Sequence, residues 1–132
     1  MDSFEYVWRD ILQIAKKLSS ISTLGLGVTV KIEDVKDDRI IVYSERTGKR
    51  RVLKKERFKP FWNALLRRGS LNYKKDLKPS DWAGAGAIII AFLARLPYIE
   101  YSLQPCILYL KSENTHSIGT LKERCVQNSA KN

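Results

Sequence analysis

A chain of 132 residues is one domain by length, and 44% apolar residues with three tryptophans supply enough core to exclude wholesale disorder. Its 24 Lys and Arg against 14 Asp and Glu leave a net charge of +10, which points to an anionic partner. The acidic, amphipathic start MDSFEYVWRD is unlike a signal peptide, and the longest apolar run, 83–94, contains two glycines and is too short for a bilayer span, so a cytoplasmic protein is expected.

In chain order, Phe4, Val7, Trp8, Ile11, Leu12, Ala15 and Leu18 have the spacing of an amphipathic helix over 4–18, with Ser3 as its N-cap. Small residues and two glycines interrupt the pattern over 19–27. From Val28 the period is two: Val28, Val30 and Ile32 alternate with Thr29, Lys31 and Glu33 as in a strand with one wet face. Turns at 36–38 and 46–49 separate it from strands over 39–44 and 50–54, which makes an antiparallel meander. A second helix over 57–68 places Phe58, Phe61, Trp62, Leu65 and Leu66 in one stripe, with Pro60 expected in its first turn and Gly69 as its stop.

After a link at 71–77, a third helix is expected over 81–95. It is apolar on every face and therefore belongs in the middle of the fold, with Pro97 beyond its end. Strands over 98–102 and 106–111 flank a Leu103-Gln104-Pro105 turn. The order α-βββ-α-α-ββ predicts an α+β fold, a meander packed on helices, as a single domain over 1–112. Residues 113–132 read as a polar C-terminal tail. Ile118, Leu121, Cys125 and Val126 either line a short helix there or the tail is mobile. Cys106 and Cys125 are too few for a disulfide scaffold and read as free thiols in a reducing compartment. Many charges with one Met and three Gln are a thermophile's composition.

The charge is local. Residues 39–78 hold fourteen basic and three acidic side chains, a balance of +11, whereas 1–38 contribute −2 and 79–132 contribute +1. Arg46, Lys49, Arg50 and Arg51 surround the Thr47-Gly48 turn. Lys54, Lys55 and Arg57 carry the charge into the second helix, Arg67 and Arg68 extend it along that helix, and Lys74 and Lys75 lie in the link. Guanidinium groups bind phosphate bidentately and lysines add a less directional attraction, so these eleven residues form a candidate nucleic-acid-binding surface. A merely solvated face is the competing reading. Against it, Glu45 and Glu56 are nearly the only acidic neighbours at helical or turn spacing.

The second helix, link, third helix and last hairpin have the order of a winged helix. An all-apolar third helix cannot read a groove, however, so docking through the hairpin with backbone contacts is expected instead. The run Arg46-Thr47-Gly48-Lys49-Arg50-Arg51, the spacing Phe58-x-x-x-Trp62-x-x-Leu65, Gly69-Ser70-Leu71, and a glycine-rich lead into an apolar helix ending Leu96-Pro97-Tyr98-Ile99-Glu100 resemble accessory domains attached to restriction-type endonucleases. The resemblance covers about 39–101 and contains no catalytic motif. It implies DNA handling without chemistry of its own.

Catalytic alternatives are thin. The α-βββ-α opening is similar to the core of PD-(D/E)xK nucleases, and Asp34-Val35-Lys36 with Asp10 or Glu5 is the nearest match. The motif falls at the end of the first strand, and the third strand carries no carboxylate. His116 is the only histidine, so a zinc site lacks ligands. The glycine pairs Gly25-Leu26-Gly27 and Gly84-Ala85-Gly86 lack a phosphate-loop lysine and a dinucleotide fingerprint, and read as flexible joins or close packing. The expectation is a DNA-binding protein, double-stranded DNA favoured, that is not an enzyme, with no cofactor and no metal. An RNA-binding module with Tyr43 and Tyr73 stacking on bases, an adaptor for an acidic protein, and a metal-dependent nuclease subunit are the alternatives. A homodimer would double the basic footprint.

Overall fold

The computed structural model describes residues 3–122, so the expectations for Cys125 and Val126 lie outside the described residues. The apolar spacing at the start forms α1 (Ser3–Lys17), which buries Phe4, Val7, Trp8, Ile11, Ile14 and Ala15. A four-stranded antiparallel sheet follows, β1 (Ser20–Ser22), β2 (Thr29–Lys36), β3 (Arg39–Ser44) and β4 (Lys49–Lys54), paired in sequence order. The meander was expected to have three strands. The fourth, β1, has only three residues, too few for an alternation to be read, and it pairs Ile21 with Val30.

The register of β2 against β3 slips between Ile32 and Asp34, leaving Glu33 as the extra residue of a bulge. Without that residue the alternation from Val30 and Ile32 would turn Asp34 inward. With it, Val35 takes the inward position and packs against the core.

Helix α2 (Lys55–Arg68) starts two residues earlier than its sequence pattern indicates, and Pro60 therefore falls in its second turn rather than its first. The helix loses only the hydrogen bond that the amide of residue 60 would have given to Glu56. Leu66, expected in the buried stripe, is 50% exposed, and Ala64 is buried in its place. Gly69 ends the helix in the left-handed conformation at φ 78°, its N–H donating to the Leu65 carbonyl at 2.7 Å.

The link contains β5 (Ser70–Leu71) and α3 (Tyr73–Asp76). The expected third helix is two: α4 (Pro79–Trp82) and α5 (Gly86–Ala94), parted where Gly84 takes φ 81°. β6 (Ile99–Ser102) and β7 (Ile107–Leu110) form the last hairpin, and β5 joins them in a second antiparallel sheet of order β5-β7-β6. From α2 to β7 this is the connectivity of a winged helix. Helix α5, in the place of that fold's groove-reading helix, is enclosed: Ile89, Ala91, Phe92, Leu93 and Ala94 are all 0% exposed.

One core joins the parts. Phe58 of α2 meets Trp8 of α1 edge-on at 5.2 Å and Phe92 of α5 at 6.2 Å. Residues 115–121, expected in a tail beyond 112, return to the domain without forming a helix. Thr115 and Gly119 donate backbone amides to the carbonyls of Pro97 and Arg95, and Ile118 and Leu121 pack on the core. Cys106 is a half-buried free thiol whose pKa burial pushes up. Among the described residues no helix is long and apolar enough to cross a membrane.

Tyr98, just before β6, donates its hydroxyl to Asp10 of α1 at 3.0 Å and packs edge-on against Trp62. Burial, with Asp10 adding to it, pushes the phenol well above its ordinary value. The folded state therefore holds this proton at a pH where the unfolded chain releases it. The resulting stability is complete below pH about 10 and is lost as the pH rises beyond that. In Tyr98→Phe, thermal melts should show a loss of about 1.5 kcal/mol at neutral pH and a shallower decline in stability above pH about 10.

Candidate nucleic-acid interface

Strand alternation divides the cations of the β3–β4 hairpin between two faces. Lys49, Arg51 and the buried Leu53 share one side of β4, and Arg50, Val52 and Lys54 share the other. The cations of the hairpin therefore do not all share one face.

Four of the eleven candidate residues are occupied within the fold. Arg50 lies opposite Tyr43, its guanidinium 5.3 Å from the ring centroid, and forks onto Glu33, with Nη2 2.9 Å from Oε2. That fork holds the Glu33 carboxyl below its ordinary range and raises Arg50 further. Lys55 pairs with Glu5, tying the start of α2 to α1. Arg68 pairs with Asp76 at 3.4 Å, and Asp76 also accepts the Asn72 amide at 2.9 Å. Arg57 donates through Nη2 to the Ala83 carbonyl at 3.2 Å, which buries its stem at the break between α4 and α5.

The other seven, Arg46, Lys49, Arg51, Lys54, Arg67, Lys74 and Lys75, have no carboxylate within ion-pairing distance among the described residues. Three of them converge. Arg46 from the hairpin turn, Arg51 from β4 and Lys74 from α3 line one cleft of about 390 Å³. Arg51 reaches to the break before α5, where its Nη1 is 3.3 Å from the position a Cβ on Gly84 would take. No Asp or Glu is among the lining residues.

Of the remaining walls, the sequence singles out only Tyr73, as a base-stacking residue of the RNA-binding alternative. Tyr73 and Trp82, in edge contact at 5.6 Å, form one side, and the Lys74 ammonium lies 6.0 Å from the Trp82 ring centroid. Leu26, 92% exposed, and Val28 stand on the other side. The floor is the start of α5, Gly86, Ala87 and Ile88, where Ala85 provides no side-chain cap. The first amides of any helix lack intrahelical acceptors, so this end offers N–H groups and the positive end of the helix dipole. Ser44 and Thr47 hydroxyls stand near Arg46.

Leu26, between Gly25 and Gly27, thus lines the same opening as Gly84 and Gly86. Gly25 and Gly27, at φ 78° and 68°, shape the turn that displays Leu26. Gly86 has no room for a side chain, because a Cβ there would lie 2.5 Å from Tyr73 Cε2 and 3.0 Å from Trp82 Cβ. The sequence signal was present in each pair of glycines, but nothing local connects residue 26 with residue 86.

The candidate nuclease carboxylates are dispersed. Asp34 pairs with Lys36 at 3.3 Å, Asp10 accepts from Tyr98, and Glu5 holds Lys55. His116 is bound locally, Nε2 lying 2.8 Å from the Ile99 carbonyl. Among the described residues no group of three or more His, Cys, Asp and Glu side chains could hold a metal ion.

No family model, curated protein or solved structure matches this chain.

Gly86→Ala should displace Tyr73 from its place against Trp82 and Phe61. The expected result is a loss of about 1–3 kcal/mol in chemical denaturation, with altered near-ultraviolet circular dichroism. Gly48→Ala, where a Cβ meets nothing within 4 Å, should leave that aromatic signal intact.

Proposed function

We propose that this chain binds nucleic acid, double-stranded DNA foremost, by docking the cleft-bearing flank on the phosphate backbone. The observation that carries this reading is the convergence of Arg46, Arg51 and Lys74 on one cleft with no carboxylate among its lining residues, with Lys49 on the same side of β4 as Arg51. Like charges gathered this way repel one another in the free protein, and an external polyanion relieves the repulsion. The neutral alternative, cations laced by acidic neighbours, accounts for Arg50, Lys55 and Arg68 but, among the described residues, not for Arg46, Arg51 and Lys74.

Contacts of this kind position a protein on a duplex without reading its bases. Helix α5 is enclosed and offers no polar face to a major groove. Modest sequence preference follows, with affinity set by salt.

The test is an electrophoretic mobility titration at several salt concentrations. With six phosphates neutralised, native affinity should fall by about three decades between about 50 and about 200 mM salt. Replacing Arg46, Lys49, Arg51 and Lys74 together by Ala should weaken binding to all duplex sequences alike and flatten the log–log salt slope by about 3–4. Replacing Arg50 and Arg68 by Ala, both engaged within the fold, should change the slope by less than about 1. Equal effects from the two sets would overturn the proposal.

A further inference from the structure

We infer that the cleft is a binding site for one unpaired nucleotide bearing a terminal phosphate, a capacity beyond duplex docking that draws on the same cations. A duplex backbone runs along a surface, whereas this cleft is a recess. Its volume, about 390 Å³, lies within the roughly 300–1,000 Å³ range of small-ligand sites.

The recess offers both chemistries that a nucleotide needs, cations for a phosphate and apolar and aromatic side chains for a base. Arg46, Arg51 and Lys74 line it with no carboxylate among the lining residues, and the start of α5, which has no side-chain cap, lines it too. A phosphodiester carries one negative charge, while a phosphomonoester carries about −1.5 to −2 at neutral pH. Three cations with a helix amino end therefore match the terminal, doubly ionised form best.

Around that charge the walls are apolar and flat. Trp82 and Tyr73 offer ring surface, and Leu26 and Val28 face the same opening. Leu26 is 92% exposed on a turn with two left-handed glycines, an apolar side chain held in water at the mouth of the recess. A base placed against these groups buries them, and stacking on an aromatic side chain contributes about 1–3 kcal/mol.

Isothermal titration calorimetry with adenosine 5′-monophosphate, adenosine and inorganic phosphate tests the site on the full chain. The nucleotide should bind at least about tenfold more tightly than either fragment. Ala87→Glu is the decisive variant, since Ala87 is an exposed cleft residue in the first turn of α5. A carboxylate there suits the helix dipole, so thermal stability should hold or rise while nucleotide affinity falls by at least about tenfold. Arg51→Gln should act in the same direction. A decathymidylate with a 5′-phosphate, compared with its 5′-hydroxyl form and with the free nucleotide, separates the sources. Tighter binding of the phosphorylated strand assigns the site to strand ends, and tighter binding of the free nucleotide assigns it to a soluble ligand. Equal affinity for nucleotide and nucleoside, no detectable nucleotide binding, or an Ala87→Glu variant that binds like the native chain would each overturn the inference. A duplex closed by hairpins at both ends reports on backbone docking alone. Its retention without nucleotide binding sinks the cleft and leaves docking standing, and the converse does the reverse.

Discussion

A helix that is apolar on every side has to be covered on every side, and the arrangement of this protein follows from that requirement at α5. Its sequence GAIIIAFLA offers no polar face, and five of its nine residues have no exposed surface at all. Burying such side chains contributes about 1.5–3 kcal/mol each, and no single neighbour can cover the whole circumference. Helices α1 and α2 close one side through the Trp8–Phe58–Phe92 junction, while β1 and β6 bring the two sheets against the others. The returning segment covers the carboxyl end too, where Gly119 donates to the Arg95 carbonyl. The amino end opens into the cleft, so the same demand that builds the core also presents unpaired amides to solvent.

The positive charge acquires meaning only when sorted by partner. Arg50, Lys55 and Arg68 each meet a carboxylate distant in sequence and join elements: β4 to β2, α2 to α1, and α2 to α3. Such surface pairs add little stability individually, but each fixes where a cation points. Their neighbours Lys49 and Arg51, one step along the same strand, face the other side and have no such partner among the described residues. Alternation along the strand thus separates Arg50, held by Glu33, from Lys49 and Arg51 on the cleft side.

Much of the architecture was legible in the chain. The spacing of Phe4, Val7, Trp8 and Ile11, the period-two run from Val28, the Gly69 stop and the apolar third helix each state a local periodicity, and local periodicity survives folding. The misreadings fall where the deciding contact is remote or the segment short. β1 and β5, of three and two residues, exist because an edge lies beside them. The break at Gly84 and the return of residues 115–121 are settled by the Arg57 and Pro97 contacts, which no window of sequence contains.

The sequence by itself determined the class of fold, the burial of α5 and the concentration of charge between residues 39 and 78, because composition and period are properties of neighbours along the chain. The tertiary structure alone decided which cations are spent on Glu33, Glu5 and Asp76. It also brought Leu26, Arg51, Lys74, Trp82 and Gly86 to one recess. Those residues are separated by as much as sixty positions, and only the packing of the meander against the start of α5 makes them neighbours.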